Sequence, residues 1–230
     1  MQPVVNPLLI VAISFKDTNL YSLNSGISVF IFIFASFFSF AQIDFSSTRF
    51  GLTAGPTYSR VQNAHNPSSA RVNFFAGAFA IIPVGGDDMF YLQPGVEYLG
   101  AGENGDNGTK YGGNYLSVPI YFKAYFSEAE SEFFGQLGPR FGFAISQTIK
   151  NPSKPLLYTT DTFGKTATFD FALSGGLGFS YKRKWEIFAR FDYGFTDTLP
   201  DLKGKEPQDP NSFKNKKQHV VSGGISYIFD

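Results

Sequence analysis

The sequence predicts an all-β fold: a closed eight-stranded antiparallel up-and-down β-barrel that spans a membrane and is preceded by a signal peptide. Three observations predict it. The chain closes on a run from His219 to Phe229 in which Val221, Ile225, Tyr227 and Phe229 share one face and Ser222, Gly224 and Ser226 the other. A terminal amphipathic strand with a near-terminal aromatic suits a sheet whose apolar face meets lipid. The chain holds 28 Phe and 12 Tyr, yet mean hydropathy is only −0.07. Apolar residues are therefore spread thinly, as in lipid-facing strands and unlike an apolar membrane helix. From Phe45 onward, eight segments of about ten residues alternate with period two, the length that crosses a bilayer as a tilted strand.

The first segment, Thr48–Arg60, sets Phe50, Leu52 and Ala54 on one face, and the second, Val72–Val84, is dense in Phe. In the third, Met89–Leu99, Phe90, Leu92, Val96 and Tyr98 oppose Gln93 and Glu97. The fourth, Asn114–Phe126, is the clearest: Leu116, Val118, Ile120, Phe122, Ala124 and Phe126 alternate with Ser117, Tyr121 and Lys123. The fifth is Glu132–Ser146, the sixth Thr168–Tyr181, the seventh Trp185–Thr196 and the eighth the terminal run. Pro56, Pro94, Pro119 and Pro139 fall inside these segments, where a missing N–H breaks a ladder bond. They read as β-bulges that help a small barrel curve.

An even strand number allows closure, which removes edges that lipid cannot satisfy. The predicted connections alternate in length. Gly85–Asp88, Ser127–Ser131 and Lys182–Lys184 are short, and Gln62–Arg71, Gly100–Gly113, Gln147–Ala167 and Asp197–Lys217 are long. Short turns belong on the periplasmic side and long loops outside, so both termini are expected in the periplasm.

Glu97, Lys123, Arg140, Asp170, Glu186, Arg190 and Asp192 all fall on the less apolar face of their strands. The interior of an eight-stranded barrel is just wide enough to be filled by side chains. Three bases and four acids are expected to fill it as a structural network of ion pairs, because unpartnered buried charges are too costly. Aromatics gather near segment ends, with Phe126, Phe133, Tyr181, Trp185, Tyr227 and Phe229 by the short turns and Tyr98, Phe143, Phe169 and Phe195 nearer the loops. Such residues form girdles at headgroup level.

Residues 1–41 read as an N-terminal extension plus signal peptide, leaving 42–230 as the barrel domain. Ile27–Ala41 is an apolar run of 15 residues, shorter than a membrane helix, ending Ser39-Phe40-Ala41 with small residues where a signal peptidase needs them. Lys16 is the only basic residue upstream, so residues 1–26 read as a mis-assigned translation start, with an uncleaved anchor as the rival reading.

The segments Asn114-Tyr115-Leu116-Ser117-Val118-Pro119-Ile120, Gly135-Gln136-Leu137-Gly138-Pro139, Gly175-Gly176-Leu177-Gly178-Phe179 and Ala189-Arg190-Phe191-Asp192-Tyr193-Gly194-Phe195-Thr196 resemble the eight-stranded outer-membrane β-barrel, PorT-like family. So does Gly224-Ile225-Ser226-Tyr227-Ile228-Phe229. The resemblance covers residues 46–229 and implies a fold and a location, the outer membrane of a Gram-negative bacterium, rather than an activity. Ser222, Gly224, Tyr227 and Phe229 also look like the terminal signal read by the barrel-assembly machinery, with Asp230 departing from its final aromatic.

Little chemistry stands out. The two His, His65 and His219, have no Ser and carboxylate beside them in any motif, and there is no Cys for thiol chemistry or metal ligation. Glu103-Asn104-Gly105-Asp106-Asn107-Gly108-Thr109 is oxygen-rich but lacks EF-hand spacing and reads as a turn-rich loop. Asn107-Gly108-Thr109 is a short sequon match that occurs by chance. No catalytic site, cofactor or metal is expected, and zero net charge gives no case for nucleic acid. Lys203, Lys205, Lys214, Lys216 and Lys217 make the last loop basic and suit either a solvated loop or contact with lipopolysaccharide. The expected partners are outer-membrane lipid and the assembly machinery, the expected state a monomer. The expected role is structural or surface-interacting through long extracellular loops. A narrow pore or an accessory barrel of a secretion system is the alternative, and a soluble lipid-binding barrel the alternative fold.

Overall fold

A computed structural model describes residues 45–64, 69–85, 88–105, 108, 110–150, 166–202 and 210–229. Eight antiparallel strands form one closed barrel in sequence order: β1 (Arg49–Val61), β2 (Ser69–Pro83), β3 (Phe90–Asn104), β4 (Lys110–Tyr125), β5 (Glu132–Lys150), β6 (Phe169–Tyr181), β7 (Trp185–Asp197) and β8 (Lys217–Ile228). Closure comes from β1 pairing with β8 from Gly51↔Ile228 to Val61↔Gln218, and the Phe229 amide donates to the Phe50 carbonyl at 2.8 Å. Both ends of the barrel sequence therefore lie at the short-turn end.

The alternation sorts side chains by solvent, with one face outward to lipid and the other inward. Phe122, Leu137, Leu177, Ile187 and Ile225 are exposed, and Tyr121, Lys123, Gln136 and Glu186 are buried in the lumen. This assigns the apolar faces outward and excludes the soluble lipid-binding alternative, in which they would line the interior. The outward aromatics pair along the wall near the turn end, Trp185 with Tyr227 at 4.6 Å and Phe133 with Phe179 at 5.2 Å between ring centroids. Nearer the loop end, Phe74 meets Tyr98 at 5.1 Å and Tyr193 meets Phe195 at 5.1 Å.

Three expectations need correction. The prolines are not bulges. Pairing lapses beside Pro56, Pro94 and Pro119, but the register resumes unchanged beyond each gap. A missing N–H thus costs local bonds without slipping the ladder, which keeps every side chain on its assigned face. The register irregularities lie toward the loop end instead, between Ala70 and Phe75, Asn114 and Tyr115, and Tyr193 and Asp197. Where β2 is irregular, β1 touches β3 directly: Thr57 Oγ1 donates to the Gly100 carbonyl at 2.8 Å and Ser59 Oγ to that of Gly102 at 2.9 Å.

The second correction concerns Gly100–Gly113, which is mostly strand. β3 runs on to Asn104 and β4 begins at Lys110, leaving only residues 105–109 as a connection. Its glycines read as turn signals because they carry no side chain to show the alternation. Gly102 has φ 143, and a Cβ there would lie 2.1 Å from the Tyr111 carbonyl oxygen, so the close approach of β3 to β4 requires glycine. The third follows from it and from β5, which extends to Lys150. Only the β5–β6 and β7–β8 connections, residues 151–168 and 198–216, are long.

Ile120 lies on the outward face of β4, two residues from exposed Phe122 and between buried Pro119 and Tyr121. Ile120→Arg should destabilise the barrel in a bilayer by about 2–4 kcal/mol, as for a cation near midplane. Reversible unfolding in lipid vesicles checks this, and parental stability would overturn the lipid-facing assignment.

Candidate functional site

The lumen is where the described strands collect most of their buried charged side chains, rung by rung. Alternation places one side chain inward at every second residue, and barrel closure brings those from distant strands together. Nearest the turn end, Lys123 Nζ on β4 donates to Glu186 Oε1 on β7 at 2.5 Å, and the Tyr125 hydroxyl donates to the same oxygen at 2.7 Å. The ammonium also sits 4.0 Å from the centroid of the Phe134 ring. In the middle, Arg190 Nη2 donates to Glu97 Oε1 at 3.0 Å across the lumen, with its guanidinium 5.0 Å from the Phe75 ring centroid. Toward the loop end, Arg140 Nη2 donates to Asp170 Oδ2 at 2.6 Å and its Nε lies 3.1 Å from Asp192 Oδ2. Asp192 is shared, since its Oδ1 lies 3.5 Å from Arg190 Nε and accepts from Ser174 Oγ at 2.6 Å.

All seven charged residues singled out from the sequence are thus buried and ion-paired, five of them in one network. Asp192 links the two arginines, and Lys123 with Glu186 forms a separate pair below them. Bulky groups fill the rest. Tyr115, Tyr121, Phe75 and Phe188 are buried between the ion pairs. A cavity of about 10 Å³ beside Gln93, Glu97, Gln136 and Arg190 leaves room for about one water. No group of three or more potential metal ligands occurs among the described residues.

The turn end carries a cluster that the sequence did not reveal. Lys182 and Arg183 both adopt left-handed φ, 53° and 49°, in the tight β6–β7 turn closed by Lys184 N donating to the Tyr181 carbonyl. Two such non-glycine residues are strained, and turns of this shape favour Asn and Gly. The strain aims Arg183 beneath the barrel. Its guanidinium donates to Glu132 Oε1 at 2.5 Å, to the Ser127 carbonyl at 3.1 Å and to the Asp88 carbonyl, and stacks 4.5 Å from the Tyr125 ring centroid. Partial burial lowers the Arg183 pKa, but the hydrogen bond with Glu132 and nearby charge outweigh it and raise it above its ordinary value. One side chain thereby ties together the three short turns. Glu132 was detectable, standing at the inward spacing of Gln136 and Arg140, whereas no sequence pattern marks a strained turn.

The terminal-strand residues divide between the two faces. Ser222 and Gly224 point inward. A Cβ on Gly224 would come within 2.6 Å of the Phe188 ring and 2.7 Å of Phe75, so glycine there makes space for that aromatic pair. Tyr227 and Phe229 point outward, and their rings meet edge-on at 5.3 Å.

Other sequence candidates come apart. Glu103 is not in an open ion-binding loop but is buried in β3, where one carboxylate oxygen accepts from the Val61 amide at 3.3 Å. Asp106, Asn107 and Thr109 lie outside the described residues, as do His65, Lys203, Lys205, Asp230 and residues 1–44. His219 faces outward and packs 4.6 Å from Tyr193, ring to ring. Lys216 is buried, its Nζ donating to the Lys214 carbonyl at 2.8 Å, so it is not part of an open basic surface.

One family profile, described as outer membrane protein beta-barrel domain, matches residues 40–199, which hold β1 to β7. Among solved structures, the chain is similar to Ail, the attachment invasion locus protein of Yersinia pestis, at 13% identity and TM-score 0.42, over 79% of this chain and 98% of that one. It is also similar to the outer membrane protein OprG from Pseudomonas aeruginosa, at 13% identity and TM-score 0.41, over 79% and 95%. Neisserial surface protein A matches at 11% identity and TM-score 0.41, over 79% and 97%. A sequence search of curated proteins found no match.

Arg140 forms the ion pair of Asp170 and is one of the two arginines that flank Asp192. Arg140→Ala should therefore cost about 3–5 kcal/mol, because a buried carboxylate is left uncompensated. Adding Asp170→Asn should recover much of that loss. Urea unfolding in detergent micelles, followed by Trp185 fluorescence, measures both, and additive losses would mean that the two side chains are not coupled.

Proposed function

The chain belongs to the outer membrane protein beta-barrel domain family, and from that premise we propose that it is a closed, non-conducting and non-catalytic barrel whose role lies in what its outer end contacts. It is an integral β-barrel of the outer membrane of a Gram-negative bacterium, in contact with membrane lipid. The observation that carries the reading is the lumen. Charges of both signs neutralise each other there, aromatic rings fill the space between them, and Arg183 caps the turn end. A pore needs hydrated, unpaired charges along its axis, and a hydrolytic site needs a base, a nucleophile and an opening to substrate. The two long connections, β5–β6 and β7–β8, remain for surface interaction, structural or adhesive.

Several finer assignments belong to this reading. Residues 1–41 act as extension and cleaved signal, residues 42–230 as the domain, and the short turns and both termini face the periplasm. The seven lumenal charges act structurally. The protein works as a monomer, since closure leaves no strand edge to share. PorT-like membership rests on the glycine-rich β6 and the Arg-Phe-Asp-Tyr-Gly run of β7. Ser222, Gly224, Tyr227 and Phe229 serve as the signal for the assembly machinery.

Purified protein in planar bilayers should show no steady conductance. A reproducible channel of nanosiemens scale would favour the transport reading. Replacing residues 151–165 with a short Gly-Ser turn should leave folding intact and remove binding of cells or surface ligands. Phe229 sits at the seam, its amide bonded to β1 and its ring on Tyr227. Phe229→Ala should lower outer-membrane levels in cells far more than refolding yield in detergent. Equal losses in both assays would leave it only a stability role.

A further inference from the structure

Outside the lumen, the charges of β3, β4 and β5 are distributed by sign. The acids of these three strands, Glu97, Glu103 and Glu132, are all buried. The bases left outside are Lys110 and Lys150, both exposed and directly opposite each other at the loop end of the β4–β5 ladder. Like charges placed opposite each other across an antiparallel pair repel and destabilise it. Nothing on the outward faces of these strands offsets that repulsion. The neighbour of Lys110 on β3 is Asn104, and the rungs below carry Gly112 with Thr148 and Asn114 with Ser146. Asn114 Nδ2 donates to Ser146 Oγ at 2.7 Å.

The height of the pair identifies the surroundings. The outward apolar column of β4 ends at Leu116 and that of β5 at Phe143 and Ile145, all exposed. Lys110 lies six residues beyond Leu116. At about 3.4 Å per residue and a tilt of about 40°, it stands roughly 15 Å above that last apolar rung, beyond a headgroup layer of about 5–8 Å and at the height of a glycolipid's sugars. Long lysine stems also bend down toward a boundary. On the opposite side of the barrel the loop-end rungs of the β1–β8 seam pair Arg60 with His219, again outward. Besides the buried Glu103, the acid within the strands at this level is Asp197, and it faces Lys217 across the β7–β8 ladder.

We propose that Lys110 and Lys150 form a site for phosphate groups of the outer-leaflet glycolipid, with Asn114, Ser146 and Thr148 presenting hydrogen-bonding groups below them. The proposal rests on the outer-membrane reading above and adds the lipid-contact site to it. A phosphate between the two ammonium groups turns a repulsive rung into a bridged one. It also moves the anionic contact expected of the last loop's lysines onto the wall of the barrel.

The full-length barrel is refolded into phosphatidylethanolamine vesicles with and without lipopolysaccharide, and glycolipid retained per barrel after detergent extraction is measured against salt. With Lys110→Gln and Lys150→Gln together, retention should weaken roughly 10- to 30-fold and lose salt dependence, at about one surface charge contact per lysine. Lys182→Gln at the turn end should leave retention unchanged. Dephosphorylated glycolipid should bind the parent as weakly as it binds the double variant. Unchanged retention by the double variant, equal retention of the dephosphorylated lipid, or preference for soluble dextran sulfate over the glycolipid would each overturn the site. Failure of the parent to insert into either vesicle would instead overturn the barrel reading itself.

Discussion

A strand in hydrocarbon has no water to bond with, so every rung of its ladder must be met by another strand. That requirement closes this sheet on itself. β1 pairs with both β2 and β8, and the seam is carried past the last rung of β8 by the Phe229 amide. Once the sheet closes, inside and outside exchange their usual roles. Apolar side chains face the solvent, which is lipid, and the polar ones must satisfy each other in a lumen with little room for water. The four prolines show how strict the ladder is: each interrupts it locally without changing the register beyond, because a slip of one residue would turn lumenal charges into the membrane.

The lumen answers the second half of that requirement. Buried ion pairs contribute little net stability relative to apolar packing, but removing one partner is severe. Sharing Asp192 between Arg140 and Arg190 makes the upper network a single unit drawn from β3, β5, β6 and β7. It is satisfied only when those strands stand in correct register. On the structural role proposed for them, the charges act less as a source of affinity between strands than as a check on which assembled barrel is acceptable. Arg183 extends the same logic to the turn end, where a strained turn is tolerated because its side chain ties three turns together.

The two ends differ in kind. The turn end is sealed by ion pairs and ringed by aromatics, while β3, β4 and β5 rise beyond the apolar band at the loop end. That extension exposes Lys110 and Lys150 beyond the last outward apolar residues of β4 and β5. Function placed at such an end needs no opening through the barrel, which is consistent with a filled lumen.

Strand existence, strand number, the face of most side chains and the identity of the lumenal charges were legible in the sequence; Ser146, expected inward with Gln136 and Arg140, faces outward because the register of β5 shifts just before it. A period-two pattern records directly which solvent each residue meets. Glu97, Lys123, Arg140, Asp170, Glu186, Arg190 and Asp192 announced themselves as polar residues repeating on one face. What the sequence by itself could not decide was contact between strands far apart in the chain. Which acid meets which arginine depends on closure and on the stagger of β3 against β7. The upper reach of β3 and β4 was hidden because glycines have no side chain to alternate. The cap at Arg183 depends on two backbone angles that its neighbours in sequence do not encode, held in place by groups on two other turns and by Glu132. Only the tertiary structure brings those together, because only a closed sheet makes the first strand a neighbour of the last.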